Sequence, residues 1–195
     1  MNNNFTSRKK MGTRQLTIVG MLSAISIILG LTGYGFIPLP TAKATIMHIP
    51  VIIGAIVEGP VVGMLIGLIF GVFSIIQNIT TPNLLSFAFI NPLVSVLPRV
   101  LIAVTSYYSY KLIAGKNEGI KSAVAAAIGS LTNTFGVLTM IYLLYAAQYA
   151  QKKNIDPSTV AATIYSIALI NGVPEAIISV LITVPVVMAV KKIKR

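Results

Sequence analysis

The chain contains no cysteine and very little acid: four of its 195 residues are Asp or Glu, and one is histidine. Without cysteine, neither a disulfide nor a catalytic thiolate can form. Four carboxylates and one imidazole are too few for a metal cluster or a paired-carboxylate active site, so we expect no metal and no cofactor. The chain also lacks the phosphate-binding loop Gly-x-x-x-x-Gly-Lys-[Ser/Thr], which argues against an enzyme that hydrolyses ATP.

Apolar residues dominate what is present. They make up 55% of the chain, charged residues only 10%, and the mean hydropathy is +0.87. A soluble domain of this size would carry far more charge, so the composition predicts a membrane protein surrounded by lipid. The net charge of +11 does not indicate nucleic-acid binding, because the basic residues flank apolar segments and form no helical stripe.

The apolar runs predict an all-α membrane protein, with six transmembrane helices packed as a compact bundle in one domain, 1–195. A basic leader precedes the first run, which lacks a small-x-small cleavage site, so we expect it to be retained as a helix. The second run is short for a span and is expected to pack inside the bundle. The predicted helices cover about 15–34, 45–58, 61–77, 91–113, 122–147 and 157–191.

The distribution of lysine and arginine predicts the orientation, because cytoplasmic loops are enriched in these residues. With six spans and both termini inside, the outer side carries only Lys43, Lys152 and Lys153. The inner side then carries eleven basic residues: Arg8, Lys9, Lys10, Arg14, Lys111, Lys116, Lys121, Lys191, Lys192, Lys194 and Arg195. We therefore expect an N-in, C-in topology.

Two ionisable residues fall inside predicted spans: Arg99 in the run Asn91 to Ile113, and Glu175 in the run Ala161 to Val190. Charges within membrane segments face a polar interior and are commonly functional. One interpretation is that one or both of them line an outward-facing chamber for a small polar solute. The alternative is a permanent Arg99–Glu175 salt bridge that only joins two helices.

Polar residues on the later helices are further candidates for binding a solute. Asn133 and Asn171 offer amide donors and acceptors, and Asn171 shares a helical face with Glu175. Asn91 precedes Pro92 and is expected mainly as a helix N-cap. His48 is expected first as a packed, hydrogen-bonded core group, with a proton relay at the substrate site as the alternative.

Small residues and prolines indicate where helices approach closely and where the chain is extended. Gly63, Gly67 and Gly71 recur every four residues in the third predicted helix and predict close contact with another backbone. Gly20 and Ala24 share one face of the first helix, which fits contact within the bundle or with another protein.

The proline-containing stretch Phe36 to Thr45 is predicted to form a semi-rigid flap. Three polar residues at the outer end of the third predicted helix could close over a ligand or form a solvated loop: Gln77, Thr80 and Thr81.

The whole chain resembles the substrate-capturing S components of energy-coupling-factor (ECF) vitamin transporters. It shares their basic leader, six helices and a small-x-x-x-small motif, here Gly20-Met21-Leu22-Ser23-Ala24, although the family usually has alanine where Gly20 stands. The pantothenate-type branch is suggested by four further stretches: Ala44-Thr45-Ile46-Met47-His48-Ile49-Pro50, Glu58-Gly59-Pro60, Asn91-Pro92-Leu93-Val94-Ser95-Val96-Leu97-Pro98-Arg99 and Asn171-Gly172-Val173-Pro174-Glu175-Ala176.

The resemblance implies a location, partners and a substrate. The chain would lie in the bacterial cytoplasmic membrane, bind a vitamin near its outer face, and dock through Gly20 and Ala24 on a T subunit driven by two ABC ATPases. Pantothenate fits because its carboxylate could meet Arg99, while its amide and hydroxyls could use Asn133, Asn171 and Glu175. Riboflavin is the alternative vitamin. The rivals from other classes are a self-contained proton-coupled secondary carrier and a purely structural membrane subunit.

Overall fold

The computed structural model describes residues 11–38, 43–115 and 117–193. The leader residues Arg8, Lys9 and Lys10, the inner-side Lys116, Lys194 and Arg195, and the middle of the predicted flap, 39–42, lie outside this part. Helix α1 (Thr13–Thr32) ends at Gly33, whose φ of 75° is left-handed. Glycine adopts this conformation without a Cβ penalty, so it suits the position directly after α1.

The predicted flap contains a short antiparallel hairpin. Strand β1 (Phe36–Pro38) pairs with β2 (Lys43–Thr45), with Phe36 opposite Thr45. The prediction of helix from residue 45 was therefore wrong at its start, because Thr45 belongs to the hairpin and α2 (Ile49–Glu58) begins four residues later. The described structure is thus mainly helical, with one two-stranded ribbon between the first two helices.

Helix α2 is the centre of the bundle. Every residue from Ile49 to Ile56 is buried, as expected for a helix that is apolar on all sides. Gly59, with φ 100°, turns the chain directly into α3 (Pro60–Thr80), and proline at the first helical position suits this start. The expectation that the short second segment packs inside the bundle is confirmed.

The fourth predicted helix is broken in the structure. A short α4 (Ser86–Phe89) precedes α5 (Pro92–Ser95), and α6 (Leu97–Leu112) begins after an interruption at Val96. Asn91 caps α5 by accepting the backbone N–H of Leu93 at 2.9 Å, as the Asn-Pro pair predicted. A continuous helix over 91–113 is wrong, because Pro98 cannot donate a backbone hydrogen bond across the break.

Two long helices complete the chain. Helix α7 (Glu118–Lys153) extends further at both ends than predicted and is irregular at Tyr145, where φ is −138°. A 3-10 turn (Pro157–Thr159), capped by Asp156, leads into α8 (Val160–Ile193). Within the part of the chain that the structure describes, four helical segments are long and apolar enough to cross a membrane: Thr13–Thr32, Pro60–Thr80, Glu118–Lys153 and Pro157–Ile193.

Candidate ligand-binding cavity

A cavity of about 640 Å³ lies at the end of the bundle where α3 finishes. Residues from the hairpin, α3, α6, α7 and α8 line it, and the exposed Thr80, Thr81 and Asn83 are at its mouth. Its volume is within the usual range for small-molecule sites, roughly 300–1,000 Å³. Four phenylalanines supply much of the apolar wall: Phe36, Phe70, Phe73 and Phe89. The cavity can therefore enclose a molecule of vitamin size.

The glycines of α3 fix the position of the wall formed by α5 and α6. A Cβ on Gly71 would lie 2.7 Å from the Cα of Val96, and one on Gly67 would overlap the carbonyl oxygen of Arg99. Only glycine permits this backbone approach, so the predicted close contact is confirmed. It places Arg99 at the side of the cavity.

Arg99 is 6% exposed and lines the cavity. Because Pro98 has no N–H, the carbonyl of Val94 loses its helical donor, and Arg99 Nη1 donates to this oxygen at 2.8 Å. The guanidinium carbon lies 5.5 Å from the ring centre of Phe70 and 5.8 Å from that of Phe89. Within the described residues the enclosed Nε has no hydrogen-bond partner, so the guanidinium has unused capacity to donate.

Glu175 also lines the cavity, but its carboxylate is already hydrogen-bonded. Its Oε1 accepts the backbone N–H of Thr45 at 2.9 Å, and its Oε2 accepts the hydroxyl of Thr134. The ion pairs found in the described ranges, Arg14–Glu58 and Lys191–Glu118, do not involve it. A permanent Arg99–Glu175 bridge is therefore wrong, and Glu175 instead joins the hairpin to α7 and α8.

Two predicted amides reach the cavity. Asn133 and Asn171 both line it, on α7 and α8. Asn133 is 9% exposed, and its Oδ1 has no partner in the part of the chain that is described. Together with Arg99, these amides provide donors and acceptors on two sides of the space.

Asn91 and His48 are not among the residues that line the cavity. The Asn91 side chain caps α5 and donates to the hydroxyl of Tyr145 at 2.9 Å. These structural contacts explain the asparagine without a role in binding a ligand. His48 is fully buried at the start of α2, and neither ring nitrogen has a hydrogen-bond partner among the described residues. The expectation of a packed core group is correct, but the expected hydrogen bond is not found.

Sequence reasoning missed a polar network at the cavity mouth. Asn78 Oδ1 accepts from Asn83 Nδ2 at 3.0 Å and from Ser86 Oγ at 2.8 Å, and its Nδ2 donates to the carbonyl of Ser74. This network holds the loop that follows α3 against the end of α3. No sequence motif distinguishes it from an ordinary polar loop, although Asn78 lies only one residue from Gln77, which also lines the cavity.

The small residues of α1 lie on its exposed side. Gly20 and Ala24 are both exposed, and a Cβ added at Gly20 would meet no atom within 4 Å. Large apolar neighbours on the same helix, including Met21 and Ile28, are also exposed. The Gly20–Ala24 face is therefore not used for packing within the described chain.

Comparison with known proteins identifies the family. The family described as "ECF transporter, substrate-specific component" matches residues 14–187. The chain belongs to this family. It is 29% identical over 201 residues to the pantothenic acid transporter PanT of Lactococcus lactis subsp. cremoris, covering 94% of this chain and 97% of that protein. It is 26% identical over 180 residues to the pantothenate transporter PanT of Leuconostoc mesenteroides, covering 87% and 88%.

Membership makes this chain a transporter subunit that is not itself an enzyme, in agreement with the sequence analysis. The long apolar helices and their many exposed large hydrophobic side chains agree with a multi-pass membrane protein. The S-component resemblance proposed from the sequence motifs is confirmed.

Proposed function

We propose that this S component binds pantothenate in the cavity and delivers it into a bacterial cell, together with a T subunit and two ABC ATPases. The observation that carries the proposal is the environment of Arg99. Its buried guanidinium lines the cavity, its Nε has no hydrogen-bond partner among the described residues, and none of their carboxylates lies at ion-pair distance. A buried cation without a partner is costly, so a ligand carboxylate would stabilise it. The two curated relatives are both pantothenate transporters.

The remaining groups of pantothenate suit the rest of the cavity. Its amide and hydroxyls can pair with Asn133 and Asn171, and its dimethyl-substituted carbon can pack against the phenylalanine wall. Glu175 contributes less directly than its sequence position suggested, because both of its oxygens already accept hydrogen bonds. We assign it to positioning the hairpin over the bound vitamin.

The proposed topology is six crossings with both termini inside. The start of α1 meets the α2–α3 turn through Arg14 and Glu58, 3.1 Å apart. Lys191 near the end of α8 meets Glu118 at the start of α7. We call the end of the bundle that holds these two ion pairs the inner end. The lysines and arginines concentrated there are expected to face the cytoplasm, because cytoplasmic loops are enriched in these residues. The cavity mouth is at the opposite, outer end.

The energising partners are proposed to dock on the exposed face of α1. Gly20 and Ala24 are unobstructed, so another helix can approach them closely. This chain has no phosphate-binding loop of its own. On this proposal, ATP hydrolysis takes place in separate subunits.

Arg99→Ala tests the function directly. We expect pantothenate affinity to fall about 10- to 100-fold, because a charge-assisted hydrogen bond contributes about 1.5–3 kcal/mol. Affinity for pantothenol, in which an alcohol replaces the carboxylate, should change little. Isothermal titration calorimetry on the purified chain measures both. Arg14→Ala is the matched control, since it removes the same charge from an exposed site outside the cavity.

Three results would contradict the proposal. Unchanged pantothenate affinity in Arg99→Ala would show that the arginine only supports the helices. Tight binding of riboflavin, with none of pantothenate, would identify a different vitamin. Pantothenate uptake by this chain alone, in liposomes with a proton gradient and no ATPases, would instead support a secondary carrier.

A further inference from the structure

The ends of three helices meet around Tyr110 at the inner end of the bundle. Tyr110 lies in the last turn of α6 and is buried, and its hydroxyl donates to the carboxylate of Glu118 at the start of α7. Lys191, in the last turn of α8, donates to the same hydroxyl, and its Nζ lies 2.8 Å from Glu118 Oε2. These three side chains therefore hold one another in place between α6, α7 and α8.

Aromatic rings position lysines at this place. Lys121 Nζ lies 5.5 Å from the centre of the Tyr110 ring, and Lys191 Nζ lies 4.1 Å from it. Lys111, the residue after Tyr110, has its Nζ 4.9 Å from the centre of the Tyr107 ring. Cation–π contacts orient an ammonium group, and its N–H donors that point away from the ring stay available. We define the inner basic cluster as Lys111, Lys121 and Lys191 with Tyr107 and Tyr110.

The inner basic cluster carries more positive charge than the chain neutralises. The chain has four acidic side chains, and Glu118 is at ion-pair distance from Lys191. The other three acids lie elsewhere, at the end of α2, at the 3-10 turn before α8 and in the cavity: Glu58, Asp156 and Glu175. Among the described residues, Lys111 and Lys121 consequently have no carboxylate at ion-pair distance. Their ammonium groups remain able to bind an anion.

Large apolar side chains adjoin these lysines. Leu112 follows Lys111 on α6, Ile120 precedes Lys121 on α7, and both are exposed. Tyr108 is exposed as well, with its ring 5.4 Å from that of Tyr107. Tyrosines and apolar side chains at the end of a membrane helix lie where acyl chains meet the headgroup region. A soluble anion would contact only the lysines, whereas a phospholipid can cover the apolar side chains as well.

We propose that the inner basic cluster binds the headgroup of an anionic phospholipid, whose phosphate accepts hydrogen bonds from Lys111 and Lys121. Basic pockets between transmembrane helices bind such headgroups. Lys191 is neutralised by Glu118 and helps to fix the Tyr110 ring. The inference does not depend on which solute the cavity binds. Its rival is diffuse attraction between any basic surface and an anionic membrane, without a defined site.

Native mass spectrometry of the purified chain in detergent measures the binding of phosphatidylglycerol as this lipid is added. We expect Lys111→Gln/Lys121→Gln to raise its dissociation constant about 25-fold, at about fivefold for each lysine. Lys152→Gln/Lys153→Gln is the matched control, because it removes the same charge from exposed lysines at the other end of α7. The control should change the constant by less than about twofold. Equal effects of the two double variants would indicate diffuse attraction and overturn the proposal.

Two further ligands identify what the cluster recognises. Phosphatidylcholine should bind at least about tenfold more weakly, because its ammonium group cancels the phosphate charge. Glycerol 1-phosphate, which has the phosphate but no acyl chains, should not displace phosphatidylglycerol at equal concentration. Equal binding of the two lipids would contradict recognition of an anion. Displacement by glycerol 1-phosphate would show a site for soluble phosphates instead of a lipid.

Thermal unfolding gives a second measurement and checks folding. In detergent without lipid, Lys111→Gln/Lys121→Gln should have the same Tm as the unsubstituted chain. Phosphatidylglycerol at about ten times its dissociation constant should raise the Tm of the unsubstituted chain by about 3–6 °C. The same lipid concentration should raise that of the double variant by less than about 1 °C. An equal rise in both proteins would overturn the proposal.

Discussion

Gly67→Ala would test how strictly α3 positions the arginine wall of the cavity. A Cβ at Gly67 would lie 2.8 Å from the carbonyl carbon of Arg99 and 3.2 Å from the backbone nitrogen of Val100. Ordinary contacts begin near 3.4 Å and the carbonyl oxygen of Arg99 lies closer still, so the two helices must separate by more than about 0.6 Å. The obstructing atoms are backbone and cannot rotate away. Overpacking of this kind costs about 1–3 kcal/mol.

The expected results follow from that displacement. Replacing glycine by alanine inside a helix gains up to about 1 kcal/mol, so we expect a net loss of about 1–2 kcal/mol. Tm should fall by about 2–8 °C, at roughly 2–4 °C per kcal/mol for a chain of this size. Pantothenate affinity should fall about tenfold, since the guanidinium moves with the α6 backbone. Thermal unfolding and calorimetric titration of the purified chain measure both.

Gly20→Ala is the matched control for this experiment. It makes the same chemical change inside a helix, but its new Cβ would meet nothing within 4 Å. We expect Tm to stay the same or rise slightly, with unchanged ligand affinity. If Gly67→Ala behaves like Gly20→Ala, the close approach of α3 and α6 does not control the site, and the reasoning is refuted.

Two further predictions concern the hairpin and the docking face. Glu175→Gln should keep its bond to the Thr45 N–H and bind pantothenate normally. Glu175→Ala should release pantothenate about fivefold faster in a washout assay, because about 1 kcal/mol of hydrogen bonding is lost. Equal defects would show that the charge itself is needed. Replacing Gly20 and Ala24 by leucine should stop ATP-driven uptake by the full complex, because the larger side chains block close helix contact. Pantothenate binding measured by calorimetry should be unchanged. Normal uptake would show that the T subunit docks elsewhere.

Local patterns predicted those features that neighbouring residues determine. The Asn91-Pro92 cap and the burial of α2 could be recognised in this way. The glycine spacing of α3 predicted a close neighbour, although not that this neighbour would be the backbone of Arg99. Arg99 was identified because a charge within an apolar run has few physical explanations.

Features that depend on tertiary pairing could not be predicted from one sequence. The salt-bridge alternative for Glu175 failed because its partners, Thr45 and Thr134, are separated from it by 130 and 41 positions. The break at Val96 was missed although Pro98 lay inside the predicted helix 91–113, since proline is tolerated within membrane helices.

The most direct test is an experimental structure of this chain with pantothenate bound. We predict the pantothenate carboxylate within hydrogen-bond distance of the Arg99 guanidinium, about 2.7–2.9 Å, with Asn133 or Asn171 contacting the amide or hydroxyls. Density for the vitamin outside the cavity, or with its carboxylate turned away from Arg99, would contradict the account.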